Sequence, residues 1–167
     1  MRAETEKDLS GIYDLIQTAF KTAKVKDGDE QDFAVKLRNS DRYIPELALV
    51  AEYNNKLIGQ IMLTKTYLTT ESNKEEYLLL APISVLIEYR DQGIGSKLIH
   101  KSLDKARKSG YKAVFLCGDP AYYQRFGFRP TSEFGIKPAL DIPVQYVMVY
   151  ELEPNALKDR SGIVECC

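Results

Sequence analysis

Apolar residues at Leu9, Ile12, Leu15, Ile16, Ala19 and Phe20 recur every three or four positions, the spacing of one helical face. Thr5 followed by Asp8 precedes them and resembles a capping box, with Asp in place of Glu. KTAKVKDGDEQ is a polar connection, and Phe33, Val35 and Leu37 mark a second, shorter helix ending before Asn39. The pattern then turns to β. ELALVAEY (46–53), Asn54-Asn55 and KLIGQIMLTKTYL (56–68) read as a hairpin with Asn-rich turn chemistry. EYLLLAPISVL (76–86) is apolar throughout, as in a central strand buried on both faces. Pro82 inside it has no N–H for a ladder, which predicts a bulge or local splay.

Helical spacing returns at Ile94, Leu98, Ile99, Leu103 and Ala106, with Gly110 as C-terminal cap. KAVFLC (112–117) is a short strand. Asp119-Pro120 is an N-cap followed by proline at the first helical position, AYYQRF supplies one or two turns, and Gly127 ends them. VQYVMVYEL (144–152) is read as the final strand. The order αα-βββ-αβ-α-β combines an early hairpin with a β-α-β crossover. It predicts an α/β (α+β) domain over 1–167, a mixed sheet flanked by helices.

The chain has 167 residues, 44% apolar and 28% charged, with a net charge of −1. This composition is that of a folded globular domain and argues against disorder. The near-neutral charge disfavours a broad nucleic-acid face. No apolar run reaches the ~18 residues of a membrane span, so no membrane association is expected. MRAETEKDLSG lacks the apolar core of a signal peptide. Cys117, Cys166 and Cys167 contain no CxxC pair, which points to reduced thiols and a cytoplasmic setting. Cys166 and Cys167 are expected to be exposed, with a crosslink between chains left open. His100 is the single histidine, so a histidine-rich metal site is excluded and no metal is expected.

The candidate chemistry lies at RDQGIG (90–95), between the long apolar strand and the helix after it. Gly93 and Gly95 lack Cβ atoms and let backbone N–H groups approach an anion. A helix start also has unpaired N–H groups and the positive end of the dipole. Arg90, Lys97 and Lys101 add positive charge. A P-loop is absent, since no GxxxxGK[ST] occurs. A dinucleotide turn is disfavoured, because Leu98 stands at its third small-residue position and a hairpin precedes it. A pyrophosphate or a plain chain turn both remain open on glycine chemistry alone.

RDQGIG resembles the acetyl-CoA signature of the GNAT N-acetyltransferase superfamily. AYYQRFGF (121–128) is similar to the family's short helix ending Tyr-x-x-x-Gly-Phe, with Tyr123, Gly127 and Phe128 in those places. The two motifs stand in the family's order, one helix and one strand apart. FGIKP (134–138) and the strand after it resemble the YhbS-like branch.

The resemblance implies a GNAT fold with a mixed, mostly antiparallel sheet and acetyl-CoA as co-substrate. It implies that backbone groups of Ile83, Ser84 and Val85 pair with the acetyl and pantetheine arm. It further implies that N–H groups from Arg90, Asp91, Gln92, Gly93, Ile94, Gly95 and Ser96 hold the pyrophosphate. Tyr123 would be the general acid: a phenol with a pKa near ~10 stays neutral at pH 7 and protonates a leaving thiolate. Glu46, ahead of Glu88, is the candidate base. Cys117 and His100 are read as structural, and of Tyr122 and Tyr123 only one is expected to act. The acceptor is an amine, a small molecule or a peptide, and a homodimer is left open. A non-catalytic acyl-CoA-binding module is the alternative.

Overall fold

Why a helix forms first and what it buries is legible from its apolar face. The computed structural model describes residues 1–23 and 28–165. Helix α1 (Leu9–Phe20) buries Ile12, Leu15, Ile16 and Ala19, the predicted stripe. The capping box before it is formed: Asp8 accepts from the Thr5 N–H at 2.8 Å and from its hydroxyl at 3.1 Å. Arg2 donates to both Asp8 oxygens at 2.7 and 2.9 Å. This pairing, against an opposing effect of burial, holds the Asp8 carboxyl well below the usual range.

Helix α2 (Glu30–Arg38) buries Gln31, Ala34 and Leu37, whereas Val35 is exposed. Phe33, Val35 and Leu37 all lie on this helix, which ends before Asn39 as expected; they alternate, and a helix buries positions three apart, so Val35 faces out. KTAKVKDGDEQ was expected to be a polar connection throughout. Its Glu30 and Gln31, with Asp32, instead open α2, where the two carboxylates complement the positive end of the dipole. Residues 24–27 of that stretch lie outside the described residues, as do Cys166 and Cys167.

The described residues fall into two compact units that alternate along the chain. The first comprises Met1–Thr64 and Leu80–Lys105; the second comprises Lys65–Leu79 and the residues from Ala106 onward. In the first, β1 (Arg2–Ala3), β2 (Tyr43–Tyr53) and β3 (Lys56–Thr69) pair antiparallel in that order. Asn54 and Asn55 take φ of 49° and 61°, both left-handed, which is the backbone a two-residue hairpin needs. Helices α1 and α2 pack Ile12, Ile16, Ala34 and Leu37 on Ala48, Val50 and Met62 of this hairpin. Truncating Ile12 or Ile16 to alanine costs about 2–5 kcal/mol at such a position.

Strand β4 (Lys74–Val85) begins in the second unit and ends in the first. Its Ala81-Pro82 bond is cis. Helix α3 (Ile94–Lys108) follows. The helix closes as predicted at Gly110 (φ 88°), with Gly110 N–H donating to the Arg107 carbonyl and Tyr111 N–H to that of Ala106. These two bonds make a Schellman cap.

In the second unit, β4 runs parallel to β5 (Ala113–Cys117), pairing Leu78 with Val114 and Leu79 with Phe115. Short helix α4 (Pro120–Tyr123), β6 (Arg129–Pro130) and β7 (Ile136–Pro138) follow, then β8 (Val147–Glu151) and β9 (Gly162–Val164). β8 pairs antiparallel with β5 and β6, and β9 with β3 and, in parallel, β7. The predicted last strand is corrected on two counts. Residues 144–146 form a 3-10 turn, and β9 comes later. Pairing is mixed and mostly antiparallel, as expected of the fold. Among the described residues, no helix is long and apolar enough to cross a membrane.

Candidate functional site

The end of β4 shows what its alternation does. Ser84 is buried and its hydroxyl receives a hydrogen bond from Gln60 Nε2 at 3.2 Å, while Gln60 is itself buried on β3. Ile83 and Val85 flank it on the opposite side of the strand and are half-buried. These three residues lie further along β4 than its paired Leu78 and Leu79.

A 3-10 turn, Ile87–Tyr89, then leads into the glycine loop. Arg90 closes this turn by donating its N–H to the Ile87 carbonyl at 3.2 Å. All three nitrogens of its guanidinium donate inside the first unit. Nε donates to the Val85 carbonyl at 3.1 Å, and the two terminal nitrogens to Thr22 Oγ1 at 2.8 Å and the Ala19 carbonyl at 2.9 Å. Arg90 was expected to offer its N–H and its charge to a phosphate. It ties the strand end and the glycine loop to the C-terminus of α1 instead, so the series of available donors starts at Asp91. The planar fork of arginine reaches three acceptors that a single ammonium would not.

Asp91 (φ 61°) and Gly93 (φ 81°) are both left-handed, and Gln92 donates through its side chain to the Glu88 carbonyl at 3.2 Å. At Gly93 an added Cβ would meet nothing within 4 Å, so the space above this residue is open. The first bond of α3 runs from Lys97 N–H to the Gly93 carbonyl at 3.0 Å. The N–H groups of Ile94, Gly95 and Ser96 therefore precede the ladder and sit at the positive end of the dipole. Gly59 on β3 lets this helix start come close. A Cβ there would lie 3.1 Å from Leu98 Cδ1 and 3.3 Å from both Ile94 Cγ2 and the Ser84 carbonyl oxygen.

In the second unit, β5 ends at Cys117 and Asp119 caps α4, accepting from the Ala121 N–H at 3.0 Å with Pro120 at the first helical position. The helix tightens into a 3-10 turn, Gln124–Phe126, and Gly127 ends it at φ 97°. Tyr123 sits at this junction, half-buried. Its ring meets Tyr122 edge-on at 4.9 Å and Phe128 at 5.8 Å between centroids. Burial, with a smaller electrostatic contribution from its neighbours Tyr122 and Asp119, pushes the Tyr123 phenol well above the ordinary value. A phenol so placed remains a neutral proton donor across the physiological range.

The remaining candidates are dispersed. Glu46 is exposed on β2, inside the irregular stretch where pairing shifts between Tyr43 and Ala48. Glu88 and His100 are exposed, and Cys117 is half-buried rather than fully in the core. The partners of Arg90 and the role of Gly59 were not foreseen. Arg90 to Ala19 spans 71 residues, and nothing local in the sequence signals it.

A family model described as acetyltransferase (GNAT) domain matches residues 1–131. The chain is 32% identical over 127 residues to the uncharacterized N-acetyltransferase YjhQ of Escherichia coli, covering 76% of this chain and 67% of that protein. It is 26% identical over 165 residues to the uncharacterized N-acetyltransferase YhbS of the same organism, covering 99% and 94%. The crystal structure of Escherichia coli YhbS in complex with CoA superposes with a TM-score of 0.86 at 26% identity, over 99% of this chain and 88% of that one. A GNAT family acetyltransferase from Brucella melitensis in complex with acetyl-CoA gives 0.78 at 26% identity, over 98% and 92%.

Proposed function

We propose that this chain, which belongs to the GNAT acetyltransferase family, transfers an acetyl group from acetyl-CoA to a primary amine by direct attack in a ternary complex. The observation that carries the reading is the start of α3. Free N–H groups at Ile94, Gly95 and Ser96 stand beside open space at the left-handed Gly93. This is the chemistry of a diphosphate cradle. The acetyl-CoA and CoA complexes of the two structural relatives support the choice of diphosphate.

In the proposed reaction, main-chain groups of Ile83, Ser84 and Val85 align the thioester arm, and donors from Asp91 to Ser96 hold the diphosphate. Arg90 contributes by fixing that loop. The amine nitrogen attacks the thioester carbonyl, the C–S bond breaks, and sulfur leaves with its electron pair. Tyr123 gives its phenolic proton to the sulfur, and Glu46, directly or through water, takes the proton lost by nitrogen. The products are an amide and free CoA. No covalent enzyme intermediate and no metal enter the scheme. The acceptor is a small-molecule or peptide amine.

The test is acetyl-CoA consumption across an amine panel, with wild type beside Tyr123→Phe. The expected result is turnover of at least one amine by wild type, and a kcat about 10²–10⁴-fold lower in the variant with little change in the acetyl-CoA KM. Tight acetyl-CoA binding with no amine consumed would instead support a non-catalytic acyl-CoA-binding module.

A further inference from the structure

Gly118 joins β5 to the cap of α4, and two observations make its lack of a side chain informative. An ideal Cβ on Gly118 would lie 2.5 Å from Tyr123 Cε2 and 3.1 Å from Cδ2. Its φ is not in the left-handed region, so the backbone itself accepts alanine. The glycine is required by the tyrosine ring and not by the turn.

Both partners of this contact are held by backbone bonds. Gly118 N–H donates to the Tyr146 carbonyl at 2.8 Å, and Tyr123 N–H to the Asp119 carbonyl at 3.2 Å. Two further aromatic rings stand against the Tyr123 ring. Phe128, buried, is one and is backed by Tyr150 at 5.6 Å; Tyr122, beneath Arg125, is the other and meets the ring edge-on. We infer that Gly118 is a positioning residue for Tyr123, forming with Phe128 and Tyr122 a seat that aims the phenol. The inference rests on the general-acid reading of Tyr123 for its catalytic meaning, but the seat itself is a matter of geometry.

Carbon atoms settle at about 3.5–4.0 Å, so a methyl at Gly118 displaces the ring edge by about 1 Å. Where the ring yields by swinging about χ1, the hydroxyl, at the far end of the side chain, moves at least as far. A misplacement of about 1 Å in a reacting group lowers the rate about 10²-fold.

The experiment compares wild type, Gly118→Ala, Tyr123→Phe and the double variant. It uses acetyl-CoA turnover with an accepted amine and the NMR signal of ring-labelled tyrosine. Gly118→Ala is expected to lower kcat about 10²-fold, leave the acetyl-CoA KM within about twofold, and shift the Tyr123 ring signal. In the Tyr123→Phe background the same change is expected to add no further loss. Wild-type kcat with an unmoved ring signal would overturn the inference, as would an equal loss in the Tyr123→Phe background. A wild-type rate in Tyr123→Phe alone would overturn the general-acid reading. That failure is distinguishable, because the ring signal still moves in Gly118→Ala. Should Gly118→Ala unfold too readily, Tm is compared in a Tyr123→Ala background, where the missing ring frees the space. Recovery of Tm supports the seat, and no recovery overturns it.

Discussion

Replacing Gly93 with valine isolates the diphosphate cradle from the stability of the fold. Gly93 has φ 81°, and a Cβ there would meet nothing within 4 Å. The change therefore causes no clash inside the protein, and its cost is the left-handed backbone, about 1–2 kcal/mol or somewhat more for a β-branched residue. For a chain of 167 residues, 1 kcal/mol moves Tm by about 2–4 °C, so the free variant melts about 5 °C lower and remains folded. CoA at 100 times its Kd adds about 2.7 kcal/mol to wild type, a rise of about 5–11 °C. In the variant the branched side chain occupies the open space, and any relaxation to negative φ turns the donors away. The CoA-induced rise then disappears. The assay is thermal unfolding of both proteins, with and without CoA, and Gly95→Val serves as a parallel variant. A folded Gly93→Val protein that keeps the full CoA-induced rise would refute the cradle.

Arg90→Lys retains the charge and loses the fork to Val85, Thr22 and Ala19. It is expected to lose about 2 kcal/mol, as much as Arg90→Ala, because hydrogen bonds from a charged group account for the difference. Wild-type Tm and CoA affinity in Arg90→Lys alone would show that charge, not geometry, matters there. Arg38 pairs with the buried Glu4 at 2.6 and 3.1 Å, and the Tyr43 hydroxyl donates to the same carboxylate at 2.8 Å. Arg38→Met is expected to lower stability by about 3–5 kcal/mol in denaturant unfolding, since Glu4 is left buried without its cation; a loss below about 1 kcal/mol contradicts this. Asp8 titrates well below its unfolded value through its pairing with Arg2. Its contribution is complete above about pH 4 and is lost as pH falls from there towards the folded value. The Tm gap between wild type and Asp8→Asn should hold from pH 7 to about 5 and narrow by about pH 3. A constant gap over that range counts against the pairing.

Long periodic segments announced themselves. The stripe of α1, the apolar runs of β2 and β3, and the Gly110 cap each depend on residues within a few positions of one another. So do the Asn54-Asn55 turn and the Asp119-Pro120 helix start. The short strands β1, β6, β7 and β9 have two or three residues each, too few for a period to register. They exist because a neighbouring strand offers them partners. The false start of the last strand has the same origin: residues 144–146 are compatible with β, and the chain turns there into a 3-10 segment instead.

The candidate site divides in the same way. By itself, the sequence determined the family, the two motifs and the glycine-led start of α3. Those rest on glycine at a left-handed position and on a helix that must begin with unpaired N–H groups. Only the tertiary structure decided how each motif residue is used. It directed the Arg90 guanidinium to Ala19 and Thr22 and turned Ser84 inward to Gln60. It also made Gly59 the rest for α3 and Gly118 the rest for Tyr123. The physical reason is common to all four. A hydrogen bond or a steric limit between residues distant in sequence, or on successive elements, is set by packing, and no local propensity encodes it.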